Sequence, residues 1–185
     1  VVVLDTSSSM RGRPFEMARA AALRAIEGLR ASDPFRIVRF SDRASELSPT
    51  PLPATPANIE RARSYVSQMT ALGSTEMRRG LRAALEPAIE RGRLRIVVLM
   101  TDGYIGNEAD VLREVDSELG ESRVFAFGIG SAVNRYLLSR LAEVGRGEMT
   151  VVTPSEAPER AADSFVQRIA TPYLTDIRID WGSLP

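Results

Sequence analysis

The residues best suited to chemistry are Asp5-Thr6-Ser7-Ser8-Ser9, which directly follow an apolar, β-branched run from Val1 to Leu4. In a nearly extended segment, side chains at i, i+2 and i+4 point to one side. Asp5, Ser7 and Ser9 then converge as one carboxylate and two hydroxyls, with Thr6 and Ser8 facing away. Taken alone, a D-x-S-x-S string is more often a Ser-rich turn with a capping Asp. A second acid changes the balance. Thr101-Asp102-Gly103 closes the most apolar run of the chain, Leu94 to Met100, so Asp102 falls at the same rim of a sheet as Asp5. By itself Asp102-Gly103 reads equally as an Asp-Gly turn. A third piece is Gly73-Ser74-Thr75, a small-residue loop opening a helix, whose Thr75 hydroxyl either caps that helix or reaches a metal.

Together the three pieces describe one site. Mg²⁺ takes about six oxygens near octahedral geometry and keeps several waters. Ser7, Ser9 and Thr75 supply neutral oxygens, and Asp5 and Asp102 bind directly or hold coordinated waters. Two carboxylates leave a divalent ion with no surplus of protein charge against it, so it stays attractive to one incoming carboxylate. The chemistry expected is metal-bridged capture of an acidic side chain, with Mg²⁺ as the first choice and Mn²⁺ or Ca²⁺ as substitutes.

Composition narrows the alternatives. The chain has 185 residues, 44% of them apolar, with 24 basic and 24 acidic side chains and neither His nor Cys. All 24 basic residues are Arg. Absence of His, Cys and Lys removes a Ser-His-Asp triad, a thiol nucleophile, zinc and haem ligation, disulfides, a P-loop lysine and Schiff-base chemistry. A formal charge of zero gives no overall positive field for nucleic acid or an anionic membrane. No apolar run approaches the length of a membrane-spanning helix, so this chain is not expected to insert in a membrane.

The elements that must position these residues alternate. Val1–Leu4, Phe35–Phe40, Leu94–Met100, Val124–Ile129 and Glu148–Val152 read as strands, and Ala44–Leu47 as a short strand returning by a tight turn. Apolar stripes predict helices from Pro14 to Leu29, from Pro56 to Met69 with Thr55 as cap, from about Glu76 to Ile89 with a kink at Pro87, from Asn107 to Leu119, and from Asn134 to Val144. Asn107 and Asp110 look like a capping box. Ala161 to Ile169 marks a last helix. Residues 48 to 57, with four prolines, read as a stiff loop unable to join a ladder. The 94–100 run, unbroken from Ile96 onward, implies burial on both faces, as in a central parallel strand. The fold expected is α/β: a doubly wound, mostly parallel central sheet with helices on both faces and one short antiparallel edge strand. In such sheets ligands bind at the carboxyl ends of the strands, where strand order switches.

Asp5, Ser7, Ser9, Thr75 and Asp102, in that chain order, resemble the metal-ion-dependent adhesion site of von Willebrand factor type A domains. The resemblance covers residues 1–172. It implies the doubly wound fold, a non-enzymatic binding role, direct or switchable ligation by Ser7, Ser9 and Thr75, and action largely through waters by Asp5 and Asp102. The partner it implies is a protein with an exposed Asp or Glu. Thr171 to Ile177, with an alternating strand to Trp181, is similar to the segment that follows the type A domain in inter-alpha-trypsin inhibitor heavy chains and their bacterial relatives. Residues 173–185 are therefore expected to lead into a following domain. A chain that starts inside a strand reads as part of a longer multidomain protein, secreted or attached to a cell envelope on this resemblance. The all-Arg basic set fits a bacterial gene rich in G and C. Two other classes share part of this pattern. A Mg²⁺-dependent phosphoryl-transfer enzyme also ends its first strand in Asp, but receiver domains require a Lys, and dehalogenase-like phosphatases a second Asp where this chain has Ser7. A type A subunit of a metal-chelatase ATPase assembly would use the same site.

Of the neighbouring residues, Met10, Arg11, Arg13 and Tyr104 are expected near the rim, with Arg11 and Arg13 facing solvent. Arg78, Arg79 and Arg82 read as the solvated face of their helix.

Overall fold

The computed structural model describes residues 1–170 together with Asp180 and Gly182. The elements in chain order are β1 (Val2–Asp5), α1 (Arg13–Glu27), β2 (Pro34–Phe35), β3 (Ile37–Phe40), β4 (Ala44–Glu46), β5 (Leu52–Pro53), α2 (Pro56–Ser67), α3 (Met77–Leu85), β6 (Ile96–Thr101), α4 (Glu108–Glu118), β7 (Arg123–Ile129), α5 (Arg135–Val144), β8 (Met149–Val152) and α6 (Pro158–Ala170). The main sheet runs β4-β3-β1-β6-β7-β8, and β2 and β5 form a separate ribbon. β4 is antiparallel to β3, and every other pairing in the main sheet is parallel. This is the doubly wound α/β sheet expected, with its short antiparallel edge.

Burial explains the layering. Alternate residues of the β-branched strands face opposite sides, so Val2 and Leu4 join one apolar cluster with α1, α2 and α6. Val3 joins the other, with α3, α4 and α5. β6 is buried from Val97 to Thr101, as a run without polar alternation requires. From β1 the chain winds toward β3 and β4, then crosses to β6 and winds outward through β7 to β8. The strand order therefore switches between neighbours β1 and β6. A crevice opens at the carboxyl ends of such a pair, and these ends are Asp5 and Thr101.

Several elements differ from expectation. The 35–40 run divides at Arg36, whose buried guanidinium donates to Glu46 and, at 2.9 Å, to the carbonyl of Ala83. The Pro-rich loop does enter a ladder: Leu52 pairs with Phe35 and Pro53 with Pro34. A two-stranded ribbon tolerates proline wherever no N–H is needed. α3 stops at Leu85 instead of kinking through to Ile89. Pro87 disfavours helix in the residue before it and offers no N–H, and the Arg95 guanidinium takes up the carbonyls of Leu85 and Pro87. Asn107 makes no side-chain cap bond and Asp110 instead pairs with Arg113, so the capping box is not formed. The strand expected from Leu174 to Trp181, like the boundary near residue 172, lies outside the described residues.

Candidate functional site

The carboxyl end of β1 carries Asp5, fully buried, and the chain leaves the sheet through Ser7 into a single 3-10 turn over Ser8–Met10. Extended alternation therefore stops at Ser7. Ser9 is brought back by the turn, its hydroxyl 3.1 Å from that of Ser7. The Ser7 N–H donates to Asp5 Oδ1 at 2.8 Å, fixing the carboxylate against the start of the turn. Thr6 and Ser8 do face away, and each ties the loop to a neighbour. The Thr6 hydroxyl donates to the Phe40 carbonyl at 2.9 Å, and the Ser8 hydroxyl accepts the Gly73 N–H at 3.0 Å.

β6 supplies the second wall. The buried Thr101 hydroxyl donates to Asp5 Oδ2 at 2.5 Å and accepts the Gly103 N–H at 2.9 Å, linking the two strand ends. Asp102 is also buried, and its Oδ1 accepts the Tyr104 N–H at 3.1 Å. Gly103 has φ +78°, a turn that residues with a Cβ adopt rarely. The third loop is pinned on two sides. Leu72 N–H donates to Thr6 O at 2.8 Å and Ser8 N–H to Gly73 O at 3.0 Å. From the other side, Asp42 Oδ1 accepts the Ser74 N–H and hydroxyl at 2.7 and 2.6 Å. Thr75 follows directly, half-buried. The structure thus brings Asp5, Ser7 and Ser9 into one bonded group with the β6 end that carries Asp102. It sets Thr75 on a loop fastened to the same rim, while no bond joins its hydroxyl to the other four.

The electrostatics of Asp5 are unusual. Burial pushes its carboxyl up to about 6, against hydrogen bonds from Ser7 and Thr101 that pull it down, and the Asp102 charge adds to the rise. Among the described residues no Arg forms an ion pair with Asp5 or Asp102. Two neighbouring buried acids without a cation are costly. The donor set is all oxygen, two carboxylates and three hydroxyls, which fits a hard divalent ion and no soft one. Among the described residues there is no cluster of three or more acidic side chains to hold a metal.

Residues that spacing did not reveal complete the rim. Asn134 caps α5 by accepting the Leu137 N–H at 3.1 Å. Its amide donates to Gly103 O at 3.2 Å and Glu108 Oε1 at 2.5 Å, while its backbone N–H donates to Asp102 O at 2.8 Å. One side chain therefore clamps the Asp102 turn to the starts of α4 and α5. Asn134→Ala is expected to lower stability by about 1 kcal/mol through the lost cap and to loosen the Asp102 turn. Thermal unfolding beside Mg²⁺ titration calorimetry checks both effects. Met10, expected near the rim, is fully buried in the core, because the 3-10 turn directs it inward. Arg13 is exposed, as expected, and its guanidinium also donates to the Pro154 carbonyl at 3.2 and 2.8 Å. Arg78 and Arg82 both pair with the buried Glu114, joining α3 to α4, so their face is not simply solvated. Tyr104 is exposed on the rim.

The family follows from fold, site order and comparison together. A family model described as von Willebrand factor type A domain matches residues 1–151, and the chain belongs to that family, whose members typically mediate protein–protein interaction. A von Willebrand factor A domain-containing protein of Dictyostelium discoideum is 28% identical over 185 residues, spanning 100% of this chain and 20% of that protein. Human inter-alpha-trypsin inhibitor heavy chain H4 is 27% identical over 196 residues, spanning 99% of this chain and 21% of its own. The chain thus spans about a fifth of these curated relatives. Among solved structures, a von Willebrand factor type A protein from Catenulispora acidiphila superposes with TM-score 0.77 at 25% identity, covering 90% of this chain and 40% of that one. The SpRpn10 VWA domain superposes with TM-score 0.72 at 11% identity, covering 88% and 92%, a likeness of fold alone.

Proposed function

We propose that this domain captures an acidic side chain of a protein partner through a divalent cation and catalyses no reaction. Asp5, Ser7, Ser9, Thr75 and Asp102 would hold the ion, Mg²⁺ first and Mn²⁺ or Ca²⁺ in its place. When bound, the ion would supply a positive centre with a position open to a carboxylate from outside. The observation that carries the reading is the buried pair Asp5 and Asp102 at the strand-order switch, without an Arg partner among the described residues, beside the bonded Ser7 and Ser9 hydroxyls. The protein's own groups do the positioning. Thr101 and the Ser7 N–H orient Asp5, Asn134 holds the Asp102 turn, and Ser8 with Asp42 fixes the loop that presents Thr75. By likeness to inter-alpha-trypsin inhibitor heavy chain H4, the domain would serve within a longer protein that is secreted or held at a cell envelope, of bacterial origin by its coding bias.

Titration calorimetry with Mg²⁺ tests the assignment: binding that disappears in Asp5→Asn is expected, and no binding by the unaltered chain overturns it. Thr75→Ala should weaken Mg²⁺ roughly tenfold, as loss of one coordinating group or its support does. The unfolding midpoint should barely move, because a rim hydroxyl buries little apolar area. A midpoint lowered by many degrees would instead make Thr75 structural. Turnover of p-nitrophenyl phosphate that is lost in Asp5→Asn would replace the binding reading with a phosphoryl-transfer enzyme.

A further inference from the structure

The described residues expose four large apolar side chains: Leu72, Leu94, Tyr104 and Tyr136, each more than half accessible. Leu94 precedes β6 at the opposite end of the sheet. Of the other three, Leu72 and Tyr104 stand on two of the loops that form the candidate site, and Tyr136 at the start of the helix beside them. Leu72 bonds through its N–H to Thr6 O, beside Ser7. Tyr104 bonds through its N–H to Asp102 itself. Tyr136 lies in the first turn of α5, two residues past Asn134, whose amide holds Gly103. Scattered exposed apolar residues need no explanation. Three on separate segments at the carboxyl end of one sheet are not scattered.

Each of these segments also houses apolar neighbours inside. Ala71 packs against the core next to outward Leu72, Ile105 next to outward Tyr104, and Leu137 and Leu138 next to outward Tyr136. The backbone that presents them is therefore anchored, which lowers the entropy lost when they are covered. The acids on these segments already have partners, Asp42 in Ser74, Glu108 in Asn134 and Glu76 in Arg79. Among the described residues Arg11, one residue past the Ser8–Met10 turn, and Arg135, the first residue of α5, are exposed and take part in no side-chain ion pair or hydrogen bond.

We propose that the partner is an acidic protein segment in which the captured Asp or Glu is flanked by apolar side chains. Those side chains cover Leu72, Tyr104 and Tyr136, and any further acid faces Arg11 and Arg135. The inference rests on the metal-bridged capture proposed above and adds its specificity. Buried aromatic anchors carry a large share of interface energy and rim charges mainly steer the approach. Selectivity among acidic segments should therefore follow the apolar flanks.

The test uses two synthetic peptides, acetyl-Gly-Leu-Phe-Glu-Leu-Gly-amide and acetyl-Gly-Ser-Ser-Glu-Ser-Gly-amide, titrated by NMR into the chain at saturating Mg²⁺. The apolar-flanked peptide should bind roughly tenfold tighter or more, the effect of at least one anchor. Tyr104→Ser and Leu72→Ser should each remove most of that preference while leaving Mg²⁺ affinity and Ser-flanked peptide binding unchanged. Equal affinities, both dependent on Mg²⁺, would overturn the inference and leave the capture mechanism standing. Absence of any Mg²⁺-dependent shift with either peptide would overturn the capture mechanism, and the inference with it.

Discussion

Asp5→Asn is expected to abolish Mg²⁺ binding, a loss of at least about a hundredfold, while making the metal-free domain more stable at neutral pH. The two effects have one origin. Burial raises the Asp5 carboxyl from 3.8 to about 6, so ionising it in the folded state is costlier than in the unfolded chain. A shift of that size corresponds to about 3 kcal/mol. Because the folded-state value is the higher one, the folded chain binds the extra proton. Its stability from this group is full below about pH 4 and is lost as pH rises through about 6. In the Asn variant that step vanishes. The amide still accepts the Ser7 N–H and can donate to Thr101 Oγ1 in place of the carboxylate. Weaker neutral hydrogen bonds reduce the gain to about 2 kcal/mol. Urea unfolding with chelator present, at pH 4.5 and 7.5, reads the difference directly. The same linkage predicts that Mg²⁺ affinity of the unaltered chain falls as pH drops below about 6, because the ion must displace the Asp5 proton. A variant no more stable than the parent at pH 7.5 would mean that the Asp5 charge is compensated in the absence of metal.

Gly80→Val should give the largest loss of stability, about 3 kcal/mol, as overpacking without room to relax does. Gly80 lies inside α3 against β3, where an added Cβ would stand 2.5 Å from Phe40 Cδ1 and 3.0 Å from Phe40 Cβ. Phe40 is fully buried, so its ring has nowhere to turn. The consequence reaches the site. Phe40 is the register partner of Asp5, and its carbonyl accepts both the N–H and the hydroxyl of Thr6. Pushing α3 away from Phe40 also shifts the helix that begins just after Thr75. Mg²⁺ affinity should therefore fall together with the unfolding midpoint. Phe40→Leu added to Gly80→Val should recover part of both. Unfolding curves and calorimetry on the single and double variants measure the coupling, and strictly additive losses would show that the clash is not with Phe40.

The strand ends were legible in the sequence because a buried parallel strand must be apolar up to the point where it leaves the core. Val1–Leu4 stopping at Asp5 and Leu94–Met100 stopping at Thr101-Asp102 therefore mark one rim without any long-range information. Extended alternation groups Ser9 with Ser7, but a 3-10 turn is what carries it there. The bonds by which Thr101, Asn134 and Asp42 hold the site leave no signal because those partners are 96, 31 and 32 residues away. No spacing rule reaches across a crossover. The same holds for Arg78 and Arg82, whose acid lies on the next helix. The end of α3 is not legible locally because Pro87 can either kink or stop a helix, and the choice depends on Arg95, ten residues past Leu85, taking the freed carbonyl.

A single diffraction experiment bears most directly on the cation itself: anomalous scattering from a crystal of this chain soaked in Mn²⁺. One peak between the carboxyl ends of β1 and β6 is expected, within coordination distance of the Ser7 and Ser9 hydroxyls and directly or through water adjacent to Asp5, Asp102 and Thr75. A peak elsewhere, or none at a Mn²⁺ concentration that saturates calorimetric binding, would contradict the account.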